Sequence, residues 1–205
     1  VWTLFPQTHE RSFLFRQEIE QEQLQSRGTL QGQPRGLPLF YVLSEVEPQP
    51  LPGILACETK SFTPRLHTGQ RLAFRLRANP VVARKAEGRK NAQHHDVLMD
   101  AKRAAQREGV DDPTEIQQRM EKAAQQWLTD EDRSARAGYQ LLTSPQATGY
   151  RQHAYRRKGR ELRFSSIDYE GTLELTDPER FSNTLLQGIG RSRAFGCGLW
   201  MIRRI

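Results

Sequence analysis

Cysteine is scarce in this 205-residue chain, with only Cys57 and Cys197 present. Neither a disulfide framework nor a metal-binding quartet suggests itself, so a reducing, cytoplasmic setting is the expectation. Long apolar runs are missing as well. None approaches the roughly 20 residues that a membrane-spanning helix needs. No charged-then-apolar secretory leader opens the chain. A membrane partner is therefore not expected. Apolar residues nevertheless make up 36% of the sequence, enough to build a core and to set aside a disordered chain.

Positive charge is what the chain has in excess. Thirty-one Lys and Arg stand against 24 Asp and Glu, for a formal net charge of +7. The excess is uneven: residues 1–70 hold 6 basic and 7 acidic side chains, and residues 71–205 hold the other 25 and 17. A basic half beside a neutral one points to a polyanionic partner.

One stretch organises the basic half. Gly188, Gly190, Gly196 and Gly198 alternate with Arg191, Ser192 and Arg193 between an amphipathic segment and a closing strand. Glycine allows positive φ and close approach, so amides can converge on an anion, and arginine forks fit phosphate oxygens. Gly190, Arg191, Ser192 and Arg193 are thus candidates for an anion-cradling loop, with structural packing as the alternative. Two nucleotide motifs are excluded. Arg193 stands where the third glycine of a dinucleotide fingerprint belongs, and that fingerprint follows a strand rather than a helix. No Gly-Lys-Ser/Thr closes the run as in a phosphate-binding loop of nucleotidases. No cofactor is expected.

The rest of the chain supplies the frame. Val1 to Phe5 reads as the last turn of a helix stopped at Pro6. Residues 12–18 read as a strand with Phe13 and Phe15 on one side, and residues 20–36 as a polar loop. Residues 39–43 read as a strand buried on both faces. Pro48, Pro50 and Pro52 interrupt pairing after it, and residues 57–62 read as a further short strand. The clearest strand is 71–78, where Leu72, Phe74, Leu76 and Ala78 alternate with Arg71, Ala73, Arg75 and Arg77. Three arginines on one face repel one another unless acid or an anion meets them. Asp112, Pro113 and Glu115 form a helix start with a capping box, followed by a stripe from Ile116 to Leu128. Residues 139–142 resume as strand. Asp177-Pro178-Glu179 opens the last helix, with Phe181, Leu185 and Ile189 inward.

Two segments carry the basic character outside the glycine loop. The first runs from Arg84 and Lys85 through Arg89 and Lys90 to Lys102, Arg103 and Arg107, past His94-His95-Asp96. Neighbouring side chains diverge on a regular element and no further ligand cluster completes the set, so no metal site is expected. The second is the turn of a long hairpin over 150–175. Residues 151–163 carry six Lys and Arg against one Glu, with Tyr150, His153 and Tyr155 interleaved. Cations for phosphate and rings for bases make that tip a nucleic-acid probe. The order of elements suits two βαββαβ units in tandem, an α+β fold of the ferredoxin-like kind. The expected units are residues 1–85 and 86–205.

Phe74-Arg75-Leu76-Arg77-Ala78-Asn79-Pro80 resembles the FRLRANP segment of the CRISPR repeat-processing endoribonucleases of type I-E Cascade. The glycine-rich stretch from Gln187 to Leu199, the W-x-LFP of Trp2 to Pro6, and Tyr169-Glu170-Gly171 are similar to that family in the same order. The resemblance implies a metal-independent nuclease that binds the hairpin of CRISPR repeat RNA and cuts at its base. Attack by the 2′-OH would leave a 2′,3′-cyclic phosphate and a 5′-OH, and the enzyme would stay with the crRNA among the other Cascade subunits. A non-catalytic scaffold that only holds the hairpin is the alternative. The resemblance also implies RNA-gripping roles for Arg156, Arg157, Lys158 and Arg160, then for Arg89, Lys90, Lys102 and Arg103. It leaves Arg75 and Arg77 as possible ties between the two units. The family's catalytic His lies in a helix just before W-x-LFP, so the catalytic group is expected N-terminal to Val1, with roughly 20 residues of strand and helix. None of the five histidines in this sequence aligns with that role.

Overall fold

The computed structural model describes residues 1–8, 10–19, 38–85, 88, 91–157 and 159–205, without the side chains of Ile19, Arg157 and Arg160. The expected loop over 20–36 lies outside these residues, as do Arg89, Lys90 and Lys158. A 3-10 turn at Trp2–Leu4 comes first, where a helix end was expected. The strands β1 (Phe13–Ile19) and β2 (Pro38–Ser44) then pair antiparallel as a two-stranded sheet. After β3 (Arg71–Ala78) comes a short hairpin, β4 (Val81–Arg84) with β5 (Gln93–Asp96). Helices α1 (Val97–Arg107), α2 (Pro113–Thr129) and α3 (Glu131–Ala137) follow. The chain closes through β6 (Tyr139–Leu141), β7 (Gln146–Arg157), β8 (Arg160–Leu175), α4 (Pro178–Gln187) and β9 (Trp200–Arg204).

The larger sheet runs β6-β8-β3-β9, with β7 also on β8 and every pairing antiparallel. Helices α1 to α3 connect its first strand, β3, to the second, and α4 connects the third, β8, to the fourth, β9. This is the ferredoxin-like βαββαβ order, with first and third strands side by side at the centre. The second strand is split: β6 pairs with the end of β8 and β7 with its beginning.

Strand β3 therefore belongs with the C-terminal half, whereas the sequence-based division places residues 71–78 in a unit ending at 85. The pairing is dictated by burial. Leu72, Phe74, Leu76 and Ala78 are almost wholly inaccessible, as a strand flanked on both sides requires. Their side chains meet Trp127, Leu128, Phe181 and Leu185 from α2 and α4 in one core. Two buried phenols fix α2 to the sheet: Tyr139 donates to the Leu128 carbonyl at 3.1 Å and Tyr169 to that of Ala124 at 3.0 Å.

The other face of β3 carries the arginines, and acid meets them. Register sets Arg71, Arg75 and Arg77 opposite Glu174, Glu170 and Asp168 of β8, with ion pairs of 3.2, 2.7 and 2.7 Å. Strand β1 lies against the same ladder. Arg16, 1% exposed, bonds Glu18 at 2.9 Å and approaches Asp168 at 3.1 Å. Arg77 also donates to the Gln17 carbonyl at 2.8 Å. Arg75 and Arg77 thus join the small sheet to the large one.

Other departures have local causes. Strand β2 is half-buried rather than buried, because a two-stranded sheet covers little of it. Residues 57–62 form no strand and are mostly exposed. Asp112 caps α2 through the Thr114 amide with Pro113 in the first turn, but Glu115 pairs with Arg119 instead of closing a capping box. Hairpin β4–β5 takes in part of the basic linker. Among the described residues no helix is long and apolar enough to cross a membrane.

Candidate nucleic-acid interface

The glycine loop is built first by packing. Gly188, Gly190, Gly196 and Gly198 all hold positive φ. A Cβ on Gly198 would lie 2.8 Å from the Ile189 carbonyl oxygen, and one on Gly188 2.9 Å from that of Gly198. Gly190 sits against Trp127 and Gly196 against Phe15. The Gly198 amide donates to the Arg77 carbonyl at 2.7 Å, tying the loop to the end of β3. Asn79, 5% exposed and next in the same segment, donates to Ser192 Oγ at 2.7 Å. Ser192 is held at φ 58, the only positive φ at a non-glycine among the described residues. Such a conformation persists only where its surroundings enforce it.

Arg193 turns back on this loop. Its Nε donates to the Gly190 carbonyl at 3.0 Å and one terminal nitrogen to that of Gln187 at 2.6 Å. It serves the loop's own conformation. Arg191 is exposed, with no hydrogen-bond or ion-pair partner among the described residues.

The loop forms one wall of a groove of about 1410 Å³. A second wall is the β7–β8 hairpin with His153, Arg163 and Phe164, and a third is β5 and α1 with His94, His95 and Arg103. Five arginines line it (Arg11, Arg103, Arg163, Arg191 and Arg193), against Asp96 and Asp100. Both acids are engaged. Asp96 caps α1 and accepts from the Tyr150 hydroxyl at 2.9 Å, while Asp100 pairs with Arg84 at 2.6 Å. Burial above all, and then the Asp96 carboxylate beside it, push the Tyr150 phenol up to about 12. Arg11 is lowered by partial burial and then by the charge of Arg193. Gathered cations with their acids already spent are suited to a polyanion.

Of the expected RNA-gripping residues, the groove collects Arg103, Gly190, Arg191, Ser192 and Arg193. Arg156 is exposed on the hairpin, and Arg157 and Arg160 close its register. Lys102 is half-buried on α1 and is not part of the groove lining. Arg89, Lys90 and Lys158 lie outside the described residues. Sequence reasoning passed over Arg11 as a groove residue; a lone arginine before β1 gives no signal of its own. It also passed over the rings of Phe164 and Phe195, which only the fold brings beside Tyr155.

His153 accepts or donates at 2.8 Å with Ser166 Oγ and stacks on Phe164 at 4.6 Å. Partial burial, then Arg77 and Arg151, lower it below the ordinary histidine value. Among the described residues no group of three or more His, Cys, Asp or Glu converges as metal ligands.

The sequence model of one protein family, described as CRISPR associated protein, matches residues 1–204. The chain belongs to that family. It is 32% identical over 140 residues to the CRISPR-associated endoribonuclease Cse3 of Thermus thermophilus, covering 68% of this chain and 59% of that protein. The match thus spans less than two thirds of the curated relative's length. A solved structure of the endoribonuclease Cse3 bound to 19 nt RNA is 26% identical, with a TM-score of 0.61, covering 98% of this chain and 87% of that one. Cas6e from Escherichia coli K-12 shares the fold at 21% identity, with a TM-score of 0.62, covering 100% of this chain and 88% of the other. For this family member the tandem ferredoxin-like architecture follows.

Proposed function

We propose that this protein is a metal-independent endoribonuclease that grips the hairpin of CRISPR repeat RNA and cuts at its base. The observation that carries the proposal is the convergence of Asn79, the glycine loop and the basic hairpin on one cationic groove. In the reaction the 2′-oxygen bonds to the adjacent phosphorus and the bond to the 5′-oxygen breaks. A base takes the 2′-OH proton, an acid supplies one to the leaving oxygen, and the products are a 2′,3′-cyclic phosphate and a 5′-OH. Groove arginines offset the charge that develops on the phosphorane. The proton-transfer roles are assigned to none of the five histidines of this sequence. Arg156, Arg163 and Arg191 hold backbone phosphate, while Arg193 shapes the loop they work beside. The division between units falls between β2 and β3, and the protein works in the cytoplasm, keeping its cleaved RNA among other Cascade subunits.

The test is a gel assay on a cognate repeat hairpin in EDTA, with the product ends identified chemically. Cleavage giving a cyclic phosphate and a 5′-OH is the expected result. Binding without cleavage would support the scaffold alternative, and absence of binding would overturn both.

A further inference from the structure

Two large rings stand in water at the mouth of the groove. Tyr155 is 50% exposed and Phe195 43%. They come from different elements, the β7–β8 hairpin and the 3-10 turn of the glycine loop, yet their planes lie within 16° of parallel at 5.9 Å. The series continues inward. Tyr155 is 17° from Phe164, and Phe164 is 20° from His153. Phe195 is held there by its loop, whose turn is bounded by Ser192 and Gly196, both left-handed. Leaving such rings exposed forgoes the stabilisation that burial would bring. The charge around them narrows what could cover them. Arg156 and Arg191 are exposed on the same two elements, and Arg163, three-quarters exposed, meets Glu161 at 2.9 Å. A face of parallel rings edged with guanidinium groups suits a base with its phosphate rather than an apolar peptide.

We propose that Tyr155 and Phe195 form a stacking surface for one unpaired RNA base in the single strand flanking the stem, an inference that rests on the RNA reading above. A base within a duplex has both faces covered by its neighbours, so protein rings meet a base only where the strand leaves the helix. The hairpin tip then holds the duplex, and the rings at the groove mouth receive the strand that departs from it. Together they fix where the paired region ends relative to the groove.

The experiment compares RNAs of one sequence in which each flanking nucleotide in turn, on either side of the stem, is made abasic. The phosphate count stays the same, so only the base is removed. Wild-type protein is expected to lose about tenfold in affinity at one flanking position, the size of a base–ring stack. That ratio should fall to about one in Tyr155→Ala and in Phe195→Leu, the latter keeping an apolar side chain on the loop. Because each ratio is taken within one variant, a weaker stem grip or a smaller folded fraction cancels. 2-Aminopurine at the sensitive position should be quenched on binding by wild type and not by the variants. If the stem binds and no abasic position matters, or the ratio survives in both variants, the stacking surface is overturned and the RNA reading stands. If no RNA binds, the RNA reading falls and takes the inference with it.

Discussion

The arginines of β3 and those around the groove are the same residue in opposite circumstances. On β3, each guanidinium faces an acid set by strand register: Glu174, Glu170 and Asp168. Around the groove, Asp96 and Asp100 are occupied elsewhere and Arg191 is exposed with no acid opposite it among the described residues, while Arg163 meets Glu161 at 2.9 Å in open solvent. The first set is internal joinery, because its charge is spent inside the molecule. In the second, Arg191 keeps its charge for something that arrives. Counting arginines cannot separate the two, whereas counting the acids opposite them does.

The largest expected effect breaks the first set. Asp168→Ala removes the shared partner of Arg16 and Arg77. It leaves Arg16, 1% exposed, with a buried charge only Glu18 offsets. Breaking a buried pair from one side costs about 3–5 kcal/mol. Urea midpoints should show that loss, while Arg156→Ala on the hairpin should stay within about 0.5 kcal/mol. Equal shifts would mean that the two sets are not different in kind.

The glycines sharpen the same contrast. Gly198→Ala places a Cβ at 2.8 Å from a backbone oxygen and at positive φ, a combination expected to cost about 3 kcal/mol. Gly159, in the hairpin turn, has positive φ but open space where its Cβ would go. There alanine should cost only about 1 kcal/mol. Thermal unfolding of the two variants tests it. A mild Gly198→Ala would show that the loop yields, and that its glycines are not there for packing.

Much of this frame was legible in the residues. Alternation over Arg71–Ala78, the stripe of α2 and the Asp-Pro starts of α2 and α4 each reflect local physics, and each element formed. The hairpin and its cationic tip were legible for the same reason. What stayed hidden was long-range. Nothing local says that β3 pairs with β8 and β9, so its arginines stayed open between acid and anion. Sequence also could not show that Arg193 bonds the carbonyls of its own loop, or that Phe195 meets Tyr155.

A smaller effect concerns the groove set alone. Arg191→Ala and Arg156→Ala should each weaken RNA binding across sequences and reduce the salt slope of affinity by about one ion. Arg71→Ala, whose charge Glu174 already meets, should leave that slope where it was. Titrations at several salt concentrations decide it. A slope that fell equally for Arg71 would place the ladder in the RNA footprint.

The smallest effect lies where the two sets touch. His153 lines the groove, yet the charge of Arg77, a ladder residue, helps to lower its pKa below the ordinary 6.5, after partial burial and ahead of Arg151. The folded protein therefore releases this proton more readily than the unfolded chain, which binds more protons as pH drops below about 6.5. The histidine's contribution to stability is complete above that value and is lost as pH falls through the folded pKa. His153 is partly exposed, so solvent screens part of the effect and the expected shift is slight. Urea midpoints at about pH 8 and about pH 5 should differ less in His153→Gln than in wild type, since glutamine keeps a polar partner for Ser166 without titrating. An RNA phosphate placed in the groove would favour the imidazolium and oppose that trend. Bound RNA should then shrink the pH dependence of wild type and leave that of His153→Gln unchanged; an undiminished dependence in wild type would place the phosphate out of this histidine's reach.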